Sequence, residues 1–433
     1  MDFERPHFPL AFIQIKIKMQ LNISVSDSFT NGKIDLRKPL FLLTCVFFMW
    51  GLSYGLLDVL NKHFQESMGI SKAQSGLLQF SYFFAYFVVS RPAAVFNDRF
   101  GYKGGILLGL CLFAVGALLF IPASSAMSFS FFLGALFVLA SGLGCLETAA
   151  NPYATLLGDS RKAEKRLNMA QSFCSLGTAI GPLIGGMLFF NNAGPLGVSQ
   201  HDMVKWVYVG LAIVVTVIAF LISITPMPET RSASHIPKKS SNSLLSHRNF
   251  VSGVIAQFFS MAALVGVGAF FINYATENWS GMTSQHAAWL LSASIFLFMA
   301  GRFISTFVMD YIAPNKLLIC YALAAVVLSI FVVLNFGRTS VIALSAIFFF
   351  MSIMFPTIFS LGIRGLKEKT KKGSSILMMS VVGGGIAPYA MGRIADNYNT
   401  SLAYIVPLLS FVMIFVCGLY FRNEEAEPLV MPI

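Results

Sequence analysis

Apolar runs of spanning length recur along the whole chain, at roughly 39–60, 76–97, 104–122, 129–157, 168–190, 205–225, 250–276, 286–309, 315–335, 340–363, 374–395 and 401–421. Each is long enough to cross a hydrocarbon core about 30 Å thick as a helix. Hydrocarbon offers the backbone no hydrogen-bond partner, so only helices and closed barrels can span it. Runs this long and uniformly apolar exclude the alternating strands of a barrel. They predict an all-α membrane protein of twelve transmembrane helices. Composition points the same way. Only 11% of the 433 residues are charged and 56% are hydrophobic, whereas a soluble domain carries roughly 25% charged residues. Most of the surface must therefore meet lipid.

The net charge of +11 does not indicate a nucleic-acid partner, because the basic residues sit in short loops between apolar runs. Alternate loops hold Arg161-Lys162-Lys165-Arg166, Arg231-Lys238-Lys239-Arg248 and Arg364-Lys367-Lys369-Lys371-Lys372, with Arg99, Lys103, Lys316 and Arg422. The other loops hold only Lys62, Lys72, Lys205 and Arg338. Basic loops stay in the cytoplasm, so both termini are expected there. The short loops and the lack of a clean signal peptide suggest a bacterial inner membrane. Met19, after Lys16-Ile17-Lys18, could be the true start. The polar stretch from Pro226 to Asn249 reads as a flexible linker. It divides the chain into a segment 1–38, a six-helix half 39–225, the linker 226–249, a second six-helix half 250–421 and a tail 422–433. Two such halves would hold a substrate between them near mid-membrane. Cys45, Cys111, Cys145, Cys174, Cys320 and Cys417 all lie inside apolar runs without paired spacing; they read as small packing residues.

Chemistry should lie where polar groups interrupt the apolar runs. Asp58 falls in the first run and Glu147 in the fourth. An intramembrane carboxylate costs roughly 2.5–3.5 kcal/mol on insertion scales, so it normally faces a cavity or a partner. Desolvation favours the neutral form of a carboxyl, and a group that gains and loses a proton is the minimum device for proton coupling. A helix-to-helix hydrogen bond is the structural alternative. Glu147 and Asn151 share one helix face, and Pro152 disturbs the ladder behind them. Asn168, Gln171, Ser175 and Thr178 form a polar stripe on the fifth run, suited either to sugar hydroxyls or to interhelical contacts. Trp50, Tyr54 and Asp58 recur every four residues on the first run, as a wall for a sugar ring or as core. Arg302 lies mid-way along the eighth run, where it could pair with a carboxylate or bond a sugar. Arg91 and Arg393 lie nearer span ends, where snorkelling explains them. Phe132 reads as lipid-facing. No metal-ligand cluster, phosphate-binding loop or credible nucleophile is present, so neither an enzyme nor a cofactor is expected. The partners expected are a sugar-like small molecule, protons and the lipid bilayer, with the protein acting as a monomer.

Asn97-Asp98-Arg99-Phe100-Gly101-Tyr102-Lys103 resembles the loop signature G-x-x-x-D-R-x-G-R-K of the major facilitator class, with Ala94 and Tyr102 as departures. The stretch from Gly301-Arg302 to Asp310 is a weaker echo. Gly76 to Gln79 with Tyr86, Gly142 to Pro152, Arg166 to Phe173, Phe355 to Ile363 and Gly383 to Gly385 resemble the fucose permease branch of that class. The likeness runs from about residue 39 to 421. It implies sugar uptake driven by co-transported protons, with Asp58 and Glu147 as the coupling pair. It further implies Gln171 at the sugar, an arginine at Arg302, and a gating role for the loop of Asp98, Arg99 and Gly101. Several positions depart from that branch. Cys174 replaces an Asn, Met354-Phe355 a Gln-Tyr pair, and Leu56-Leu57 polar amides; the seventh span reads Ala262 to Ala269 where the permease has Gln and Trp. Each change removes hydrogen-bonding capacity, which puts fucose itself in doubt. A proton-linked symporter for a sugar or similar small polar metabolite is the reading that results. Proton-driven export of a siderophore or drug, and a non-transporting sensor, are the alternatives.

Overall fold

The structure, a computed structural model, describes residues 37–157, 163–190, 200–227, 244, 247–309, 311–366 and 370–421. The possible start at Met19, most of the 226–249 linker, Asp310 and the tail 422–433 lie outside the described residues. Among those described, every regular element is a helix. The elements that matter here are α1 (Arg37–Met68), α2 (Leu77–Leu118), α3 (Phe129–Leu156), α4 (Ala163–Phe189), α5 (Gln200–Ile224), α6 (Arg248–Ala269) and α7 (Phe271–Asn278). They continue with α8 (Ser284–Val308), α9 (Pro314–Leu334), α10 (Arg338–Met351), α11 (Met354–Ile363), α12 (Thr370–Met379), α13 (Gly383–Asn397), α14 (Thr400–Ala403) and α15 (Ile405–Tyr420).

Ten helical stretches are long and apolar enough to cross a membrane. One of them, Lys72–Ser125, is 54 residues long and kinks at Gly101, whose φ of 77° and ψ of 169° are not helical. That conformation is essentially restricted to glycine, so the pass before Gly101 and the pass after it are separate spans. The pass α12–α13, interrupted by a 3-10 turn at Ser380–Val382, completes the twelve that the sequence predicts. Helix α1 outruns its apolar stretch by eight residues. Its last turns carry Asn61, Lys62, His63, Gln65 and Glu66, so Asp58 sits deeper than the apolar run alone suggests.

Large apolar side chains point outward all round. Phe41 is 67% exposed, Phe220 63% and Phe307 70%. In water such a belt would be an aggregation surface; in lipid it is the expected outer face. Phe132 is a correction. It is only 3% exposed, with its ring 4.7 Å from Phe64 and 5.5 Å from Phe120. Its neighbour Phe131, about 100° further round the helix, is exposed instead.

Spans from the two ends of the chain meet along two lines. Helix α4 packs on α8, where Ser292 Oγ donates to the Ala179 carbonyl. Helix α13 packs on α2 and on the short helix Lys72–Ser75. There Asp396 accepts from the backbone N–H of Lys72 at 2.9 Å and of Ala73 at 2.8 Å, serving first-turn donors that have no partner within their own helix. Lys72 Nζ reaches Glu277 at 2.7 Å and Thr400 at 2.8 Å. Gln65 and Asn273 bond each other through both amide groups, one bond at 2.6 Å. One face of the bundle is thus latched across the two ends of the chain. On the opposite face Lys103 Nζ donates to the carbonyls of Ser223 and Thr225, capping the end of α5 where a cation is favoured.

The Gly101 geometry generates a test. Gly101→Ala is expected to lower stability by about 1–3 kcal/mol. Gly134→Ala, mid-helix with open space around its would-be Cβ, should change it little or raise it by up to ~1 kcal/mol. Thermal unfolding in detergent, followed by intrinsic fluorescence, separates the two.

Candidate functional site

A cavity of about 750 Å³ lies between the first six and the last six spans. Trp50 and Tyr54 line its depth, and it runs past Glu147 and Asn151 toward Arg91, Pro152 and Met378. It therefore extends toward the face of the 98–103 loop, away from the Lys72–Asp396 latch. Its two walls differ in chemistry. The first six spans contribute the polar groups, among them Trp50, Tyr54, Tyr82, Tyr86, Glu147, Thr148, Asn151, Cys174 and Thr178, together with apolar residues such as Phe83, Phe87 and Val88. The last six contribute Met261, Leu264, Phe355, Met378, Met379, Val381 and Val382, none with a hydrogen-bonding group. Leu264 and Phe355, from the departures noted in the sequence, are thus part of one apolar wall.

Tyr54 packs against Tyr82 and Phe83, with ring centroids 5.8 and 6.3 Å away, and Tyr82 stacks on Tyr86 at 5.2 Å. The aromatic wall is continuous from α1 to α2. Glu147 lines the cavity half-buried and forms no ion pair among the described residues. One helical turn on, Asn151 Oδ1 accepts from Gln171 Nε2 at 2.9 Å. Gln171 is behind the lining and holds Asn151, which faces the cavity. The stripe on α4 is partly spent on its own backbone, since Ser175 donates to the Gln171 carbonyl and Thr178 to that of Cys174. Such back-bonding is the ordinary fate of hydroxyls inside helices. The Asn168 side chain lies outside the described residues. The carbonyl that Pro152 releases in α3 is that of Thr148, four residues earlier, and Thr148 lines the cavity.

Arg302 is not at the lining. Pro356 has no N–H to offer the Ser352 carbonyl four residues earlier. Arg302 Nε donates to that carbonyl at 3.3 Å, and the guanidinium lies over Phe298 at 5.0 Å. No carboxylate pairs with it among the described residues. Asp98 and Arg99 are exposed, Arg99 lies over Phe100, and Asp98 forms no ion pair among the described residues.

Asp58 is also absent from the cavity lining. It is 5% exposed, between Gln79 of α2 and the backbone of α6 at Gly268. Beyond it a chain of amides leads to the latched face. Asn61 Nδ2 donates to Gln79 Oε1 at 3.2 Å, and Gln65 Nε2 to Asn61 Oδ1 at 2.7 Å and to Ser75 Oγ at 2.8 Å. Gln65 then meets Asn273. The sequence reading did not single this cluster out, although Asp58, Asn61 and Gln65 fall at i, i+3 and i+7, one face of α1.

Residues 40–381 match the family model of the Major Facilitator Superfamily. The chain is 37% identical over 411 residues to an L-fucose-proton symporter of Escherichia coli, covering 90% of this chain and 94% of that protein. It is 39% identical over 380 residues to a glucose/galactose transporter of Brucella abortus, covering 87% and 92%. The crystal structure of the fucose:proton symporter of E. coli superposes with a TM-score of 0.66 at 36% identity, covering 90% of this chain and all of that one.

The Asn151–Gln171 contact ties α3 to α4. Unfolding of Asn151→Leu, Gln171→Leu and the double variant should give a coupling of about 0.5–1.5 kcal/mol, the range for one net hydrogen bond. Strict additivity in that cycle would mean that the pair contributes nothing.

Proposed function

Because this chain belongs to the Major Facilitator Superfamily, we propose that it imports a sugar together with protons by alternating access. The observation that carries this reading is the central cavity. It presents an intramembrane carboxyl, an amide and aromatic faces on one wall, and among the described residues it is latched on one side of the bundle only. Segments 39–225 and 250–421 rock as two bodies about that cavity, joined by the 226–249 linker. Arg99, Lys103, Arg248, Lys316 and Arg364 lie at the span ends on the side toward which the cavity extends, so that side reads as cytoplasmic and the conformation as inward-facing. Twelve spans put both termini on the same side. The site is built within one chain, in keeping with a monomer, and a bacterial inner membrane suits the topology.

Glu147 and Asp58 carry the protons. Asn151 bonds sugar hydroxyls, held in position by Gln171, with Asn168 further along the same helix. Trp50 and Tyr54 stack on the apolar face of the ring. Arg302 braces the break in the tenth span beside the site. Asp98, Arg99 and the Gly101 turn gate the cytoplasmic face: Asp98 has no ion pair among the described residues with that face open, and closure gives it a partner. The named substrates of the relatives, L-fucose and glucose or galactose, define the class. The apolar wall and Cys174 offer no partners to the hydroxyls of any of these sugars, so recognition of hydroxyls falls to the first six spans, and the wall suits the less polar side of whichever sugar binds.

The test is uptake of labelled D-galactose, D-glucose and L-fucose into vesicles with an imposed pH gradient. Wild type should accumulate at least one of the three uphill. Asp58→Asn and Glu147→Gln should each abolish accumulation while the protein stays in the membrane. Full accumulation by both variants would remove the coupling assignment, and failure of wild type to accumulate any of the three would remove the sugar reading.

A further inference from the structure

The two walls of the cavity converge at its deep end. Val381 and Val382 line it there, and the glycines that follow them bring the last six spans close against the first. A Cβ at Gly385 would lie 3.2 Å from the Phe80 Cα and 3.3 Å from the Phe83 Cβ. One at Gly384 would lie 3.3 Å from the Phe83 ring and 2.8 Å from Val265. Phe83 in turn meets Tyr54 edge-on, with 6.3 Å between ring centroids. The apolar wall therefore starts beside the aromatic platform, and a sugar ring placed on Tyr54 has both walls within reach.

A free hexose matches only one of them. It carries hydroxyls on every edge. Those turned to the first wall find Asn151, Thr148 and the tyrosines. Those turned to Met261, Leu264 and Phe355 find no hydrogen-bonding group, and burying a hydroxyl without a partner is unfavourable. Alkyl or aryl carbon in the same place loses no hydrogen bond and leaves water. The space allows it, since a cavity of about 750 Å³ falls in the range that encloses drug-sized ligands. Three of the seven wall residues are methionines, Met261, Met378 and Met379. Their unbranched thioethers adapt to apolar groups of differing shape.

We propose that the site takes glycosides: a sugar ring on the first wall, carrying an alkyl or aryl group that lies against Met261, Leu264, Phe355, Val381 and Val382. The first six spans read the ring and the last six read what is attached to it. A free sugar then binds as the smaller, weaker member of the class.

The proposal rests on the sugar reading above, and direct binding tests it apart from transport. The probes are the methyl to butyl glycosides of D-glucose and D-galactose in both anomers, titrated against the intrinsic fluorescence of the full chain in lipid nanodiscs. Empty nanodiscs correct for partition into lipid. In at least one anomeric series, affinity should rise about two- to fourfold per added methylene. Leu264→Asn, similar in shape but polar, should flatten that rise, whereas Leu264→Met should keep it. Val381→Thr combined with Val382→Thr changes the same wall at nearly constant volume and should also flatten it, which guards against a folding defect in Leu264→Asn. Four series that are flat or falling, no binding by any glycoside, or a rise left unchanged by both polar substitutions would overturn the glycoside site. A flat series alongside uphill hexose uptake would leave the transport reading standing. A rising series in a protein that accumulates none of the sugars would keep the site and remove the transport reading alone.

Discussion

Backbone hydrogen bonding in hydrocarbon is the constraint from which the rest of this structure follows. A peptide group facing lipid has no partner but its own helix, so the chain can interrupt its helices only where protein covers the break. The interruptions in the last six spans obey this rule. Phe270, between α6 and α7, is 0% exposed; Ser352 and Ile353, between α10 and α11, are 0% and 2%; Ser380, opening the 3-10 turn, is 8%. The groups released there are taken up locally. Arg302 serves the Ser352 carbonyl and Ser380 Oγ donates to the Leu377 carbonyl. An arginine in mid-membrane is costly; this one is retained as the partner of a carbonyl that Pro356 leaves free.

The same constraint explains why the fold was legible in the sequence. Each span had to be a long apolar run, and the alternation of basic loops followed from topology. The acids and amides inside those runs were legible for the converse reason, because each is too costly to be incidental. What could not be read was helical phase. Phe131 and Phe132 are indistinguishable as residues, yet one meets lipid and the other packs on Phe64. Gln171 and Asn151 are likewise both amides on plausible faces, and only geometry separates the one at the lining from the one holding it. Asp58 was legible as a buried acid but not as one outside the cavity, because the polar end of α1 hid how far the helix continues. The contact of that carboxyl with Gly268 had no signal at all: a glycine in an apolar span is ordinary, and its meaning depends on a carboxyl more than two hundred residues away.

The two walls of the cavity express a division of labour. The first six spans carry the acids, the amides and the aromatic faces. The last six carry apolar side chains at the cavity and their polar groups elsewhere: Asp396 on the first turn of Lys72–Ser75, Asn273 on Gln65, Glu277 on Lys72. Every one of those contacts is made to the first six spans, on the face away from the cavity. The second set of spans thus acts on the first mainly by closing over it. A ligand gripped on one side only can stay with that wall while the other moves, so opening need not break its hydrogen bonds. The apolar wall then contributes by excluding water, which strengthens every polar contact opposite it. On this view the loss of hydrogen-bonding groups from Ala262–Ala269 and at Phe355 did not weaken the site uniformly. On the proposed function it leaves recognition to α1, α3 and α4, and it leaves α6 smooth enough at Gly268 for the Asp58 carboxyl to lie against it.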